Sequence, residues 1–176
     1  MGPAALNHRH ATFSKDPPVA QSESQAGETM DTSNSINYEM TIDAEPASVF
    51  AFFTDPTRLV RWMGASATLD PQPGGLLLID VQDGYVARGE FTEVVPVSRL
   101  AYTWGWEGNR ENVPPGSSLV EIDLAPKNGG TLLRFKHSGL PPEAVPGHRD
   151  GWKHYLARLA LVASGHDPGP DPRRKN

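Results

Sequence analysis

The sequence contains 176 residues and no cysteine, so disulfide bonds, thiol nucleophiles and cysteine-based metal sites are excluded. It also lacks a run of about 18 apolar residues, the length that a membrane-spanning helix requires. Residues 1–36 contain no apolar run of about seven residues, which a signal peptide would need. We therefore expect a cytoplasmic protein with no integral membrane association.

Positively charged residues are too few for a nucleic-acid surface. The 16 lysines and arginines are outnumbered by 21 aspartates and glutamates, which gives a net charge of −5. Because nucleic acids are bound by basic surfaces, we expect no nucleic-acid partner.

Motifs for cofactor binding and nucleophilic catalysis are also missing. The serines form no Gly-x-Ser-x-Gly elbow, and the "PGG" and "NGG" segments lie in predicted turns without the context of a phosphate-binding loop. His148 and His154 lie six residues apart, on different sides of a predicted helix, and no carboxylate cluster with ligand spacing accompanies them. We expect neither a metal nor another cofactor, and a binding protein rather than an enzyme.

Composition divides the chain into three parts. Residues 1–35 are rich in Ser, Pro, Ala, Gln, Thr and Asn and carry few large apolar side chains, so we predict a disordered N-terminal tail. Residues 36–165 show strand, turn and helix patterns and form one predicted domain. Residues 166–176 contain three prolines and a short basic end, and we predict a disordered C-terminal tail.

Apolar spacing predicts an α+β fold. Alternation from Ile36 to Asp43 predicts a strand, and the prolines at 46 and 56 each suit the first turn of a short helix. Antiparallel strands follow, separated by the turns "PQPGG", "QDG" and "KNGG". A long helix over residues 147–165 ends the predicted domain.

The long helix carries an apolar stripe that begins with Trp152 and Tyr155, and it must cover one face of the sheet. Alternation predicts that this face carries Leu100, Tyr102, Trp104, Trp106, Val120, Ile122, Leu124, Leu133, Phe135 and His137. Because buried Trp and Tyr need partners for their donors, two interpretations stay open. The contact is either a solid core whose polar tips reach the surface, or the lining of a small-molecule pocket.

Five motifs, in order, resemble those of a known superfamily. They are "VFAFFTDPTRLVRWMG", "DPQPGG", "RGEFTEVVPVSRLAYTW", "GTLLRFKHSGLP" and "DGWKHYLARL". On these motifs the sequence resembles the START-like (SRPBCC) superfamily. It is most similar to the family named for the C-terminal domain of the Aha-type activator of a heat-shock chaperone ATPase. The sequence departs from that family at Gln72, where Arg is frequent.

The resemblance implies a helix-grip fold, of the START-like or Bet v-like kind. In that fold a curved antiparallel sheet of about six or seven strands wraps on a long C-terminal helix, with two short helices after the first strand. It also implies a cavity between the sheet and the last helix. Relatives include lipid and hormone carriers and polyketide cyclases, so the fold alone does not fix the function.

We predict that this cavity binds a small hydrophobic or aromatic molecule, lipid-like or polyketide-like. The predicted ligand-binding residues are Trp62, Met63, Tyr85, Phe91, Tyr102, Trp104, Trp106, Ile122, Phe135, His137, Trp152 and Tyr155. His137 is either a polar anchor for the ligand or a structural histidine bonded to a backbone carbonyl in the turn after it. The polar loop at residues 107–116 is a candidate lid.

Two alternative functions stay open beside ligand binding. One is an enzyme of the cyclase or hydratase kind that uses His137 as its acid–base group. The other is a stress-related module that interacts with a chaperone, which the family name alone suggests.

Overall fold

The computed structural model describes residues 34–175, so the predicted N-terminal tail lies outside the described residues up to position 33. The strands of the described part are β1 (Ile36–Ile42), β2 (Ser66–Leu69), β3 (Leu76–Gln82), β4 (Tyr85–Val95), β5 (Arg99–Trp104), β6 (Ser118–Lys127) and β7 (Gly130–Ser138). Its α-helices are α1 (Pro46–Thr54), α2 (Pro56–Leu59) and α3 (Val145–Ala163).

The strands form one antiparallel sheet in the order β1-β7-β6-β5-β4-β3-β2. β1 pairs with β7 along its whole length, from Ile36 opposite His137 to Ile42 opposite Thr131. The pairings of β3 with β4 and of β4 with β5 both contain register shifts, and such bulges bend a sheet. The α+β helix-grip architecture predicted from the sequence is confirmed. The edge strand β2 was not among the strands that alternation predicts, because four residues are too few to show the pattern.

α1 and α2 follow β1 and lead the chain to β2 at the opposite edge of the sheet. Pro46 and Pro56 each occupy the first turn of their helix, where the missing N–H costs nothing. Asp55 caps α2, because its Oδ1 accepts a hydrogen bond from the backbone N–H of Thr57 at 2.9 Å.

The inward face of the sheet is the one that alternation predicts. Every residue predicted to face inward on β5, β6 and β7 is buried, and so is Trp106 just after β5. The intervening residues Asp123, Arg134 and Lys136 are exposed, which confirms the alternation.

α3 packs on this inward face. It begins at Val145, two residues before the predicted start, and Pro146 lies in its first turn. Gly165, at φ +83°, follows its end and takes the left-handed conformation that commonly terminates a helix. The buried residues of α3 are Val145, His148, Trp152, Tyr155, Leu156, Leu159 and Val162. Within residues 34–175, no helix combines the length and the apolar character needed to cross a membrane.

The segment after α3, residues 166–175, makes polar contacts with that helix. The Arg158 guanidinium donates to the carbonyls of residues 168, 169 and 170 at 2.9–3.4 Å. His154 hydrogen-bonds Asp171 at 2.8 Å, and the Asp171 side chain is only 7% exposed. Polar groups rather than apolar side chains make these contacts to α3.

Candidate functional site

A cavity of about 450 Å³ lies between α3, the adjoining ends of β3, β4 and β5, and the C-terminal segment. Its aromatic and apolar lining consists of Met63, Val81, Tyr85, Trp104, Trp106 and Trp152. Its polar lining consists of Gln82, Glu111, His148, Asp150, Tyr155, Arg173 and Lys175. The lining thus combines large aromatic surfaces with seven polar side chains, and in small-molecule sites such polar groups orient the bound molecule.

Half of the residues that the sequence predicted for the site border this cavity. They are Met63, Tyr85, Trp104, Trp106, Trp152 and Tyr155. The other six are buried in the core and do not border it: Trp62, Phe91, Tyr102, Ile122, Phe135 and His137.

Of these six residues, Tyr102, Phe135 and His137 support the cavity lining, because their rings pack against its tryptophans. The Phe135 ring lies 4.6 Å from that of Trp152, and Phe91 packs edge-on against Tyr102 at 5.8 Å. Burial raises the pKa of the Tyr102 hydroxyl. Trp62 lies elsewhere in the core, where its Nε1 donates to the Phe52 carbonyl at 3.0 Å.

His137 is fully buried, and both of its ring nitrogens bond to protein groups. Trp152 Nε1 donates to His137 Nδ1 at 2.9 Å, and His137 Nε2 lies 2.8 Å from Ser118 Oγ. The Ser118 hydroxyl in turn donates to the Trp104 carbonyl at 2.9 Å. Val120 pairs with His137 in the β6–β7 ladder, and Ser118 lies two residues before Val120 on the same face, so the sheet register brings this serine to the histidine. The partners are therefore Trp152 and Ser118, rather than a carbonyl in the following turn.

These contacts fix the charge state of His137. An indole N–H can only donate, so Nδ1 accepts and carries no proton, and Nε2–H donates to Ser118. Burial, reinforced by the neighbouring His148, lowers the pKa of His137 from 6.5 to about 3. The imidazole is neutral at physiological pH, and its hydrogen bonds leave no ring nitrogen free.

His148 on α3 forms a second pair with a tryptophan, which the sequence did not predict. Trp106 Nε1 donates to His148 Nε2 at 3.0 Å, and His148 Nδ1 lies 2.8 Å from the Ala144 carbonyl. Because His148 Nε2 accepts from an indole N–H, it carries no proton and this ring is also neutral; burial lowers the pKa of His148 in the same sense. Because His148 lies four residues before Trp152, both residues lie on the same face of α3. This spacing is the sequence feature that could have predicted His148 beside the cavity.

Trp104 lies among these pairs. Its ring is 5.3 Å from that of Trp106, 5.1 Å from that of Trp152 and 6.2 Å from that of His137. The residue is 2% exposed, and its indole Nε1 has no hydrogen-bond partner within residues 34–175. It is the cavity-lining tryptophan whose donor the described part of the protein does not satisfy.

The polar side of the cavity is formed in part by the C-terminal segment. Arg173 pairs with Asp150 on α3 at 2.6 Å, and both residues border the cavity. Gln82 Nε2 donates to the Tyr155 hydroxyl at 3.3 Å. Burial raises the pKa of Tyr155 to about 12, so this hydroxyl stays protonated at physiological pH.

The irregular segment Glu107–Asn112 begins the loop that the sequence predicted as a lid. The Arg110 guanidinium lies 4.4 Å from the centre of the Tyr85 ring, and Glu111 borders the cavity beside His148. Opening and closing of this loop remain a prediction. Among residues 34–175, no cluster of three or more His, Cys, Asp or Glu side chains could hold a metal ion.

Comparison with known proteins identifies relatives over most of the chain. The family described as "Activator of Hsp90 ATPase homolog 1-like protein" matches residues 43–164. An AHSA1-like protein of Rhizobium etli is 54% identical, with a TM-score of 0.64 over 81% of this chain and 89% of that one. CalU16 of Micromonospora echinospora is 28% identical, with a TM-score of 0.60 over 74% and 76% of the two chains. DynU16, from the dynemicin biosynthetic locus, is 25% identical, with a TM-score of 0.65 over 76% and 49%. No curated protein matches the chain.

Proposed function

The chain belongs to the Activator of Hsp90 ATPase homolog 1-like family, and within that family we propose that it binds a small, largely aromatic molecule in the cavity beside α3. The observation that carries the proposal is the cavity lining, which includes three of the four tryptophans of the chain. The volume of about 450 Å³ lies in the range of roughly 300–1,000 Å³ that is usual for small-molecule pockets.

The chemistry of the lining favours a flat aromatic ligand over a flexible acyl chain. Trp104, Trp106 and Trp152 present rigid rings, and aromatic rings gain additional stabilisation from offset or edge-to-face contact with one another. The likeness to DynU16 adds support for a small-molecule role, because that protein comes from the dynemicin biosynthetic locus.

Indole N–H signals in ¹H–¹⁵N NMR spectra test the proposal. The chain has four tryptophans, and single Trp→Phe variants assign their four side-chain signals. Titration with a planar aromatic ketone such as 9-fluorenone should shift the signals of the three cavity tryptophans. The signal of Trp62, which donates to the Phe52 carbonyl away from the cavity, is the internal control. Four unchanged signals, with palmitate and with aromatic ligands alike, would refute ligand binding in this cavity.

The alternative of a cyclase or hydratase that relies on His137 gains no support from the geometry. A general base near neutral pH needs a pKa near the working pH and access to the substrate. His137 does not border the cavity, both its nitrogens are bonded, and burial lowers its pKa to about 3. His137→Phe would abolish turnover of an identified substrate if this mechanism operated.

The alternative of a chaperone-interacting module rests on the description of the family alone. Stimulation of a chaperone ATPase by the purified chain would support it, and ligand titration in the same assay would show whether the two functions are linked.

A further inference from the structure

We propose that the end of the C-terminal segment is a gate of the cavity, which detaches from the cavity walls to let a small molecule enter and leave. We call residues 171–175 the strap, and residues 173–175 its tip. The inference rests on the proposed ligand-binding function and adds to it the route of ligand exchange and the step that controls its rate.

The strap bridges the two walls of the cavity. On the helix side, the Arg173 guanidinium pairs with the Asp150 carboxylate of α3 at 2.6 Å. On the sheet side, the backbone N–H of Lys175 donates to Asp83 Oδ2, in the turn between β3 and β4, at 2.8 Å. Arg173 and Lys175 both border the cavity, which lies between these same elements. A segment that is bonded to both walls and lines the space between them closes that side of the cavity.

The strap is held firmly where it begins, at Asp171. This side chain is only 7% exposed, and its Oδ1 lies 2.8 Å from His154 Nε2. The Arg158 guanidinium also donates to the carbonyls of the three residues just before it. Detachment at this point would break these bonds together and separate a buried carboxylate from its partner, which is costly. We therefore expect the start of the strap to stay on α3 when the gate opens.

The contacts of the tip, by contrast, are exposed. Asp83 and Lys175 are exposed residues, and the side chains of Arg173 and Asp150 are 30% and 74% exposed. Water can replace each of these contacts, so each contributes little net stability. Segments held by exposed polar contacts open locally while the rest of the fold stays intact. The tip is thus the part of the strap that opens, and its contacts with Asp83 and Asp150 set the open fraction.

Asp83→Gly tests the gate, because it removes the acceptor of Lys175 and Asp83 does not border the cavity. Asp83 has a φ of +28° and precedes Gly84, so glycine suits this position of the turn. Asn128→Gly is the matched control. Asn128, at φ +50°, precedes Gly129 in the turn between β6 and β7, away from the cavity. An effect of the added glycine itself appears in both variants, whereas an effect of the lost contact appears in Asp83→Gly alone.

Trypsin cleavage after Arg173 and Arg174 measures opening of the tip without any ligand. Cleavage follows the population of the open form when opening and closing are fast. Asp83→Gly should raise the rate at which mass spectrometry detects loss of the tip by about 2–5-fold, the effect of one exposed polar contact. Asn128→Gly should leave the wild-type rate unchanged. A wild-type rate in Asp83→Gly would show that this contact does not hold the tip, and it would overturn the inference.

Stopped-flow tryptophan fluorescence with 9-fluorenone measures ligand exchange. Because entry and exit both need an open gate, Asp83→Gly should raise the association and the dissociation rate constants together, by about 2–5-fold, and leave Kd unchanged. Asn128→Gly should keep the wild-type values. A rise in the dissociation rate constant alone, with weaker binding, would show that the strap is a wall that contacts the ligand, and the gate would be refuted.

The outcomes separate the inference from the function on which it rests. If 9-fluorenone and the other aromatic ligands do not bind the wild-type chain, the proposed function fails and the gate fails with it. If 9-fluorenone binds and both rate constants are the same in Asp83→Gly as in the wild type, ligand binding stands and the gate is refuted. Entry would then take place elsewhere, for example past the segment Glu107–Asn112.

Discussion

The hydrogen bond between Trp152 and His137 provides a test of how the aromatic cluster is held together. Trp152 is 3% exposed and His137 is fully buried, so neither side chain has bulk solvent as an alternative partner. Trp152→Phe leaves His137 Nδ1 without its donor, and His137→Phe leaves Trp152 Nε1 without its acceptor. Each change strands one atom of this pair, at a cost of about 1–3 kcal/mol, in addition to the cost of altered packing. His137→Phe also removes the donor to Ser118 Oγ, and this loss is the same in the single and the double variant.

The double variant strands neither atom, because both partners are then apolar. Its loss of unfolding free energy should be smaller than the sum of the two single losses by about 2–6 kcal/mol, because each single loss contains the cost of one stranded atom and the double loss contains neither. Urea denaturation of the wild type, both single variants and the double variant gives this coupling energy, provided that the m-values agree.

Trp62→Phe combined with His137→Phe is the matched control. Trp62 is equally buried and donates to a backbone carbonyl, but it shares no hydrogen bond with His137. Its combination with His137→Phe should be additive within about 0.5 kcal/mol. If the Trp152 pair is also additive within that margin, the hydrogen bond does not contribute as argued.

Three further predictions concern pH, glycine positions and the C-terminal segment. Because the pKa of His137 falls from 6.5 to about 3 on folding, unfolding takes up a proton between these values, and stability should decrease as pH falls through this range. Between pH 6.5 and 5, His137 can contribute at most about 1.4 kcal/mol per pH unit to the slope of unfolding free energy against pH. This slope should be shallower in His137→Phe than in the wild type, and equal slopes would contradict the lowered pKa of His137. Gly89→Ala should lower the unfolding free energy by about 1–3 kcal/mol, since the added Cβ would collide with the Thr103 carbonyl oxygen. Gly147→Ala in α3 adds a Cβ that meets no atom within 4 Å, so it should raise the unfolding free energy by about 0.5–1 kcal/mol, as measured by urea denaturation. Deletion of residues 167–176 should lower the unfolding free energy by about 1–2 kcal/mol through lost contacts to α3, and an unchanged midpoint would show that these contacts contribute nothing.

The sequence predicted the faces of the sheet well, because alternation reports directly on which side chains share a face. Tyr102, Phe135 and His137 were correctly expected to point inward. Alternation does not report where along the sheet the last helix lies, and that position decides which inward residues border the cavity. Tyr102 and Phe135 therefore lie in the core beneath the cavity. Trp104, two residues after Tyr102 on the same face of β5, borders the cavity.

Residues that reach the cavity from outside the sheet were harder to predict. The sequence pattern indicates no role for His148, yet this residue accepts a hydrogen bond from Trp106, which lies 42 positions earlier in the sequence. Arg173 lies in a segment whose composition predicts disorder, and its contact with Asp150 depends on the path of the chain after α3. Such pairings depend on tertiary geometry, which spacing and composition of a single sequence do not encode.

The two tryptophan–histidine pairs explain how the same side chains can hold the core together and line a cavity. In each pair the indole ring borders the cavity while its N–H is bound to an imidazole. The hydrogen bonds of Trp106 and Trp152 therefore hold their rings in place from behind, without any contribution from a ligand. Because these bonds and the packing of Phe135 under Trp152 exist in the free chain, the cavity is already formed before binding, as is common for small-molecule sites. A molecule that binds there, as proposed, would lose little affinity to reorganisation of the protein.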